Sequence, residues 1–162
     1  MRNECKDSMP IDLPSIILPI HAAATWAMVG LIWFVQAVHY PLMGQVGRTE
    51  AAGYAAAHQR RVSLIVIPVM LLEAISALAL VASPPDGTGR ILPGFGLAML
   101  VFIWASTAML TMPMHGRLLA GSDPRAHRRL VLTNWIRTLL WTARAVVASL
   151  LGGAMAYSLY KT

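Results

Sequence analysis

Four long apolar segments constrain this chain more than any other feature. They cover about residues 16–43, 62–82, 91–114 and 130–160, and a membrane-spanning helix needs about 20 mostly apolar residues. Only 12% of the 162 residues are charged and 57% are hydrophobic, whereas soluble domains have about 25% charged residues. A soluble fold of this length could not bury so much apolar surface. The sequence therefore predicts an all-α integral membrane four-helix bundle, with residues 1–162 forming a single domain.

The segments between the predicted spans are polar and short. The N-terminal tail, residues 1–15, contains the single cysteine, Cys5, so no disulfide can form within the chain. No short cleavable signal segment precedes the first span. The stretch "SPPDGTG" predicts a tight turn between the second and third spans. The alanines of "GQVGRTEAAGYAAAHQRR" favour a short interfacial helix, and Ser122 or Asp123 is expected to cap the last helix. No internal repeat is evident.

The basic residues predict an orientation. The first and third loops hold seven arginines: Arg48, Arg60, Arg61, Arg117, Arg125, Arg128 and Arg129. The opposite side holds four basic residues: Arg2, Lys6, Arg90 and Lys161. The positive-inside rule then places these two loops in the cytoplasm and both termini outside it, in a bacterial inner (plasma) membrane. The modest bias leaves the inverted orientation open. The net charge of +6 thus fits membrane topology, with lipid as the partner, rather than nucleic-acid binding.

Two ionisable residues lie inside the predicted spans. Glu73 and Arg144 are roughly 16 and 20 Å from the same membrane face, at about 1.5 Å per helical residue. Each would cost about 2.5–3.5 kcal/mol if left alone at the bilayer centre. We therefore expect them to pair inside the bundle as candidate catalytic residues. A purely structural ion pair that fixes helix register is the alternative.

Other polar and aromatic side chains predict a substrate-binding face. Asn134, Arg137, Trp141 and Arg144 recur at spacings of three, four and three, which places them on one side of a helix. Together they would form a donor-rich wall for an anionic or quinone-like ligand. In the alternative, Arg137 extends to the headgroups and only Arg144 is buried. Similar spacings add Trp104 with Thr107, Thr111 and His115 on the third span, and Trp33 with Gln36 and Tyr40 on the first.

Three histidines lie at the ends of three spans. His39, His58 and His115 are predicted at one depth, in the cytoplasm-proximal half. Histidines from facing helices of a bundle can ligate a metal, so iron, copper or haem is the cofactor hypothesis, with proton relay as another role. Interfacial histidines that only bond water or lipid are the alternative. The chain contains no HxxxH or ExxH motif.

The stretches "TMPMHGRLLAG" and "HRRLVLTNWIRTLLWTARAVV" resemble small four-span membrane proteins related to anthrone oxygenases. That family shows Thr-x-Pro-x-Asn-x-x-Leu at the end of span three and Trp-x-x-x-Asn-x-x-Arg in span four. The matching residues are Thr111, Pro113, Leu118, Asn134 and Arg137. His115 replaces the usual asparagine and Leu130 the usual tryptophan. The resemblance implies a four-helix bundle and oxygen-dependent oxidation of an aromatic or quinol-like substrate.

Three classes of function are consistent with these residues. The first is an oxidoreductase that takes a hydrophobic small molecule from lipid; Arg144, Arg137 and Asn134 would hold its oxyanion, and Glu73 would accept its proton. The second is a transport or binding module with a proton relay, which would require a homo-oligomer because four spans are few for a transporter. The third is an accessory subunit of a larger membrane complex, favoured by small-residue seams such as "LGGAMA".

Overall fold

The computed structural model describes residues 13–161, which form helices joined by short turns. The first span consists of α1 (Leu13–Phe34), a π-helical turn (Val35–His39) and α2 (Tyr40–Met43), and the second is α3 (Ala51–Ala82). The third consists of α4 (Ile91–Ser106), a π-helical turn (Thr107–Thr111) and α5 (Met112–Ala120), and the fourth is α6 (Pro124–Lys161). Most of the predicted polar tail, including Cys5, lies outside the described residues.

All four spans are long and apolar enough to cross a membrane, which confirms the predicted membrane bundle. The second span differs from its predicted bounds. It begins at Ala51 rather than near residue 62 and has 32 residues, about 48 Å at 1.5 Å per residue. The alanine-rich stretch therefore extends the spanning helix instead of forming a separate interfacial one, because alanine favours helix continuation.

The spans form a ring in which each packs against its neighbours in the chain and the first packs against the fourth. Short loops make successive spans antiparallel, as in an up-down-up-down bundle. Three buried apolar layers fill the interior: one around Tyr40 and Leu130, one around Met28 and Ile103, and one around Leu80. Large apolar side chains cover the outside of the bundle, which is the surface expected against lipid.

Two π-helical turns distort the first and third spans in the same way. The N–H of Tyr40 bonds the carbonyl of Val35, and the N–H of Met112 bonds that of Thr107, each five residues back. In both spans a Pro-x-x-Gly stretch begins at the next position: Pro41–Gly44 in the first span and Pro113–Gly116 in the third. The first and third spans thus share a short local pattern, which consists of a π-helical turn followed by Pro-x-x-Gly. π-Helical turns often occur beside functional sites.

The fourth span begins with a capped helix. The Asp123 carboxylate accepts hydrogen bonds from the backbone N–H groups of Ala126 and Arg125, both at 3.0 Å. The pKa of Asp123 is lowered chiefly by the hydrogen bond from Ala126. The hydrogen bond from Arg125 and the positive charges of Arg117 and Arg125 lower it further. Of the two predicted caps, Asp123 is therefore the one used, with Pro124 at the first helical position.

Candidate functional site

Arg144 lies at the centre of a buried polar network. Its Nη1 donates to Oε1 of Glu73 at 2.8 Å, and both side chains are almost completely buried. Its Nε donates to the Gly96 carbonyl at 3.0 Å, and its Nη2 lies 3.4 Å from Nε2 of His21. The predicted Glu73–Arg144 pairing is confirmed. The four residues come from four different spans, so the guanidinium ties the whole ring together.

The other atoms of this network are satisfied as well. Oε2 of Glu73 accepts a hydrogen bond from Nε1 of Trp141 at 3.0 Å. The Ser76 hydroxyl donates to the Leu72 carbonyl at 2.7 Å, so its oxygen must accept from Nδ1 of His21, 2.8 Å away. His21 then carries its proton on Nδ1, which leaves Nε2 free to accept from Arg144. Each polar group has a partner of the correct type, as a buried network requires.

A second polar cluster lies nearer the arginine-rich end of the bundle, where the first and third loops are found. Gln36 donates to the Val131 carbonyl at 3.3 Å and accepts from Nδ2 of Asn134 at 2.7 Å. Oδ1 of Asn134 in turn accepts from Nε and Nη2 of Arg137. The Tyr40 hydroxyl lies 3.5 Å from Nη2 of Arg137. This chain of amides holds the second guanidinium in a fixed position.

Arg137 differs from Arg144 in lacking an anionic partner. It is buried, with 8% of its surface exposed, so the alternative in which it reaches the headgroups is wrong. Within the described part of the chain the only ion pair is that of Arg144 with Glu73. Burying a cation without an anion costs free energy, so a buried arginine without a carboxylate partner indicates a site for an anionic or hydrogen-bond-accepting ligand. The Arg137 guanidinium therefore offers an unneutralised positive charge inside the bundle.

Arg137 lines a cavity of about 270 Å³. Most of the wall is apolar and comes from the first and second spans, including Leu31, Ile32, Val62, Val66, Ile67 and Met70. The residues that bring polar atoms to it are Tyr40, His58, Gln59, Ser63, Thr107, Thr111, His115, Arg137 and Trp141. An apolar pocket with a few convergent polar groups is the usual form of a small-molecule site. Neither Glu73 nor Arg144 reaches this wall.

The three predicted metal ligands meet at one end of this cavity, but their geometry does not suit a metal. The rings of His39 and His58 are stacked, with centroids 3.7 Å apart and planes 19° apart. A metal lies in the plane of each imidazole that binds it, whereas these two rings lie face to face, so neither an ion nor a porphyrin can lie between them. Within residues 13–161, no group of three or more His, Cys, Asp or Glu side chains is placed to hold a metal ion.

The histidines differ in their surroundings. His58 and His115 line the cavity, and the His115 ring centroid lies 6.4 Å from that of Tyr40. His39 does not line the cavity; its ring stacks on His58 and lies nearly parallel to that of Tyr54, 5.9 Å away, and its buried Nε2 has no hydrogen-bond partner among the described residues.

No family model, curated protein or solved structure matches this chain.

Two predicted substrate-binding residues lie outside the cavity. Trp33 is exposed on the outside of the bundle, where its Nε1 donates to Thr142 at 3.1 Å and its ring packs edge-on against Trp135. Trp104 is also exposed and does not line the cavity. The expected inward orientation of the two side chains is therefore not observed, for the same reason in each span, whereas their part in substrate binding stays a prediction. Each stripe crosses a π-helical turn, which inserts an extra residue and rotates the face on which the tryptophan lies.

Two histidines were missed by the sequence interpretation. His21 is buried beside Arg144, as described above, and its spacing of four to the buried Thr25 was the available signal. Nε2 of His127 donates to the Tyr40 carbonyl at 2.8 Å, and its ring lies against Gly44, where a Cβ would be 2.8 Å from it. No local pattern distinguished His127 from an ordinary loop histidine.

Proposed function

We propose that the protein binds a hydrophobic aromatic or quinol-like molecule in this cavity and acts on it as a membrane-embedded oxidoreductase. The observation that carries the proposal is the buried Arg137, which lines an apolar cavity and has no carboxylate partner among the described residues. A ligand with an apolar ring and one acidic oxygen complements both properties. The ring would pack against the aliphatic wall, and the oxygen would accept hydrogen bonds from the guanidinium.

The size of the cavity supports a compact ligand. A volume of about 270 Å³ lies just below the range of roughly 300–1,000 Å³ that is usual for small-molecule pockets. One ring or a small fused ring system suits this space better than an extended chain. Ile67 and Met112 line the cavity and are also exposed on the outside of the bundle, which supports access from lipid between the second and third spans.

The proton chemistry belongs to the histidines rather than to Glu73. Both oxygens of the Glu73 carboxylate are bonded, to Arg144 and Trp141, and neither faces the cavity. His58 and His115 do line it. A phenolic oxygen held by Arg137 would lose its proton to a neutral imidazole, and the arginine would stabilise the resulting oxyanion. Arg144 and Glu73 would then support the site without touching the ligand.

The redox step follows the resemblance to anthrone oxygenases. A quinol gives up two electrons and two protons on becoming a quinone, and dioxygen, which dissolves well in a bilayer, would accept them as hydrogen peroxide. The histidines would only move the protons. We further propose that the arginine-rich end faces the cytoplasm and that the membrane is a bacterial inner (plasma) membrane, since seven arginines lie at that end and, among the described residues, only Arg90 and Lys161 lie at the other.

A binding experiment tests the proposal. Purified full-length protein in detergent would be titrated with 1,4-naphthoquinone and with anthrone, and intrinsic tryptophan fluorescence would be followed because Trp141 lines the cavity. We expect saturable quenching. Arg137→Gln should weaken binding about 10- to 100-fold, the value of a hydrogen bond to a charged group, whereas Trp33→Phe, on the outer surface, should not. Equal binding by Arg137→Gln and the unsubstituted protein would refute the assigned oxygen site.

Turnover requires a separate measurement. Oxygen consumption with 1,4-naphthoquinol should exceed the uncatalysed rate in the unsubstituted protein and should fall strongly in the His58→Ala and His115→Ala variants. Tight binding without oxygen consumption would leave a binding or transport module as the better description. Proton-coupled uptake into proteoliposomes would then identify the transport alternative.

A further inference from the structure

A groove lined by arginines lies on the outside of the bundle at its arginine-rich end. It has a volume of about 440 Å³, and its lining residues are Arg117, Arg125, Arg128, Arg129 and Leu132. Arg117 comes from the last turns of the third span, and the others come from the first turns of the fourth. The groove is separate from the cavity that contains Arg137.

None of the four arginines forms an ion pair within the described residues, although Asp123 lies close enough to Arg117 and Arg125 for their charges to lower its pKa. The only ion pair there is between Glu73 and Arg144, in the bundle interior. Asp123 is the nearest carboxylate in sequence, but its Oδ1 accepts the backbone N–H groups of Arg125 and Ala126. Four like charges around one groove repel one another, so an anion that neutralises several of them would bind favourably.

The chemistry of the groove points to phosphate. Guanidinium groups bind phosphate oxygens through paired hydrogen bonds, and several arginines suit a ligand with more than one phosphate. The groove continues into an apolar surface, because Leu132 lines it and Ile136 and Leu139 lie exposed further along the fourth span. A headgroup in the groove would therefore place acyl chains along these side chains. Basic pockets at the ends of spanning helices bind such headgroups.

We propose that this groove binds the headgroup of an anionic phospholipid that carries two phosphates. The lipid would lie against the third and fourth spans, outside the bundle and away from the ligand cavity. The chain also supplies an internal control. Arg60 and Arg61 lie at the same end of the bundle on the second span, carry the same charge and do not line the groove.

Native mass spectrometry of the full-length protein in detergent would test this site. The probes are tetraoleoyl cardiolipin, dioleoyl phosphatidylglycerol and dioleoyl phosphatidylcholine, with inorganic pyrophosphate as the free anion. We expect binding to decrease in that lipid order. Removing a basic residue should weaken binding about fivefold, so Arg125→Gln/Arg128→Gln should lose about 25-fold for cardiolipin. The control Arg60→Gln/Arg61→Gln should keep cardiolipin binding close to that of the unsubstituted protein.

Each outcome supports or overturns the assignment. Equal binding of cardiolipin and phosphatidylcholine would overturn it, and so would equal losses in the two double variants. Pyrophosphate bound as tightly as cardiolipin would show a site for free anions rather than for lipid. Because the substituted arginines are exposed on the bundle surface, both double variants should fold, and their thermal unfolding in detergent serves as the check.

Discussion

Glu73 on the second span and Arg144 on the fourth form an ion pair across the diagonal of the bundle, with Oε1 and Nη1 2.8 Å apart. The two spans are not neighbours in the ring, so the pair crosses the interior. Trp141 belongs to both functional regions, since its Nε1 bonds Glu73 while its ring lines the cavity. The buried network therefore supports one wall of the proposed ligand site.

Removing the charge of Glu73 should destabilise the protein strongly. Glu73→Gln leaves Arg144 buried without an anion, a change that typically costs about 3–5 kcal/mol. The free energy of unfolding in mixed detergent micelles would measure this. Glu50→Gln, the same substitution at an exposed position near the first loop, should change it by less than about 0.5 kcal/mol. Equal stability of the two variants would contradict the structural importance of the pair.

Lysine should not replace Arg144 even though it keeps the positive charge. The guanidinium uses three separate nitrogens for Glu73, Gly96 and His21, and a single ammonium cannot reach all three. Arg144→Lys should lower the free energy of unfolding by about 2 kcal/mol, from the lost hydrogen bonds. Arg129→Lys, on the exposed surface, is the matched control and should be neutral. A neutral Arg144→Lys variant would show that charge alone suffices.

Substitution of the buried Trp141 should lower the free energy of unfolding more than substitution of the exposed Trp104. Trp141→Phe removes a buried hydrogen bond to a carboxylate, worth about 1.5–3 kcal/mol. Trp104→Phe changes an exposed side chain and should alter stability by less than about 0.5 kcal/mol. The same unfolding assay compares them. A larger effect at Trp104 than at Trp141 would restore the sequence-based prediction that Trp104 faces inward.

The cap of the fourth span should make stability depend on pH in the acid range. Two backbone N–H groups hold the pKa of Asp123 below its ordinary value of 3.8. The carboxylate therefore stabilises the folded protein above about that pH, and the contribution is lost as the pH falls through the lowered value. Asp123→Ala should be less stable than the unsubstituted protein at pH 7, and the difference should shrink towards pH 2. Melting temperatures across this range would measure it.

An amide at the same position provides the control. Asp123→Asn keeps a cap oxygen that does not titrate, so its stability relative to Asp123→Ala should hardly change between pH 7 and pH 2. A difference between the unsubstituted protein and Asp123→Ala that stayed constant over this range would show that the cap contributes no titratable stability.

The sequence predicted the fold well because lipid imposes strict rules on length and polarity. Four long apolar stretches predicted four spans. Glu73 and Arg144 were predicted at similar depths, where each charge is costly without a partner, and they form an ion pair. The buried face of the fourth span was also predictable, since Asn134, Arg137 and Trp141 follow an uninterrupted helical period.

The rest of the site could not be predicted from spacing. The π-helical turns shift the register of two spans, so Trp33 and Trp104 were placed on the wrong face. Stacking of His39 on His58 depends on how two helices pack, which no local motif encodes. His21 was left out because it lies near the opposite face, yet its Nε2 lies 3.4 Å from Nη2 of Arg144.

The π-helical turns also make the cavity wall adjustable by chain length. Each contains one residue more than a regular turn, so deleting a single residue there would restore an ordinary α-helix. The proline that follows has no backbone N–H, so the helix already lacks one hydrogen bond at that point. Because the wider turn already accommodates the extra residue, the helix beyond the deletion should keep its faces, and the change would be confined to the side chains of the turn that line the cavity. Single-residue insertions and deletions at these two points thus offer a route to altered specificity in which the four-span scaffold is retained.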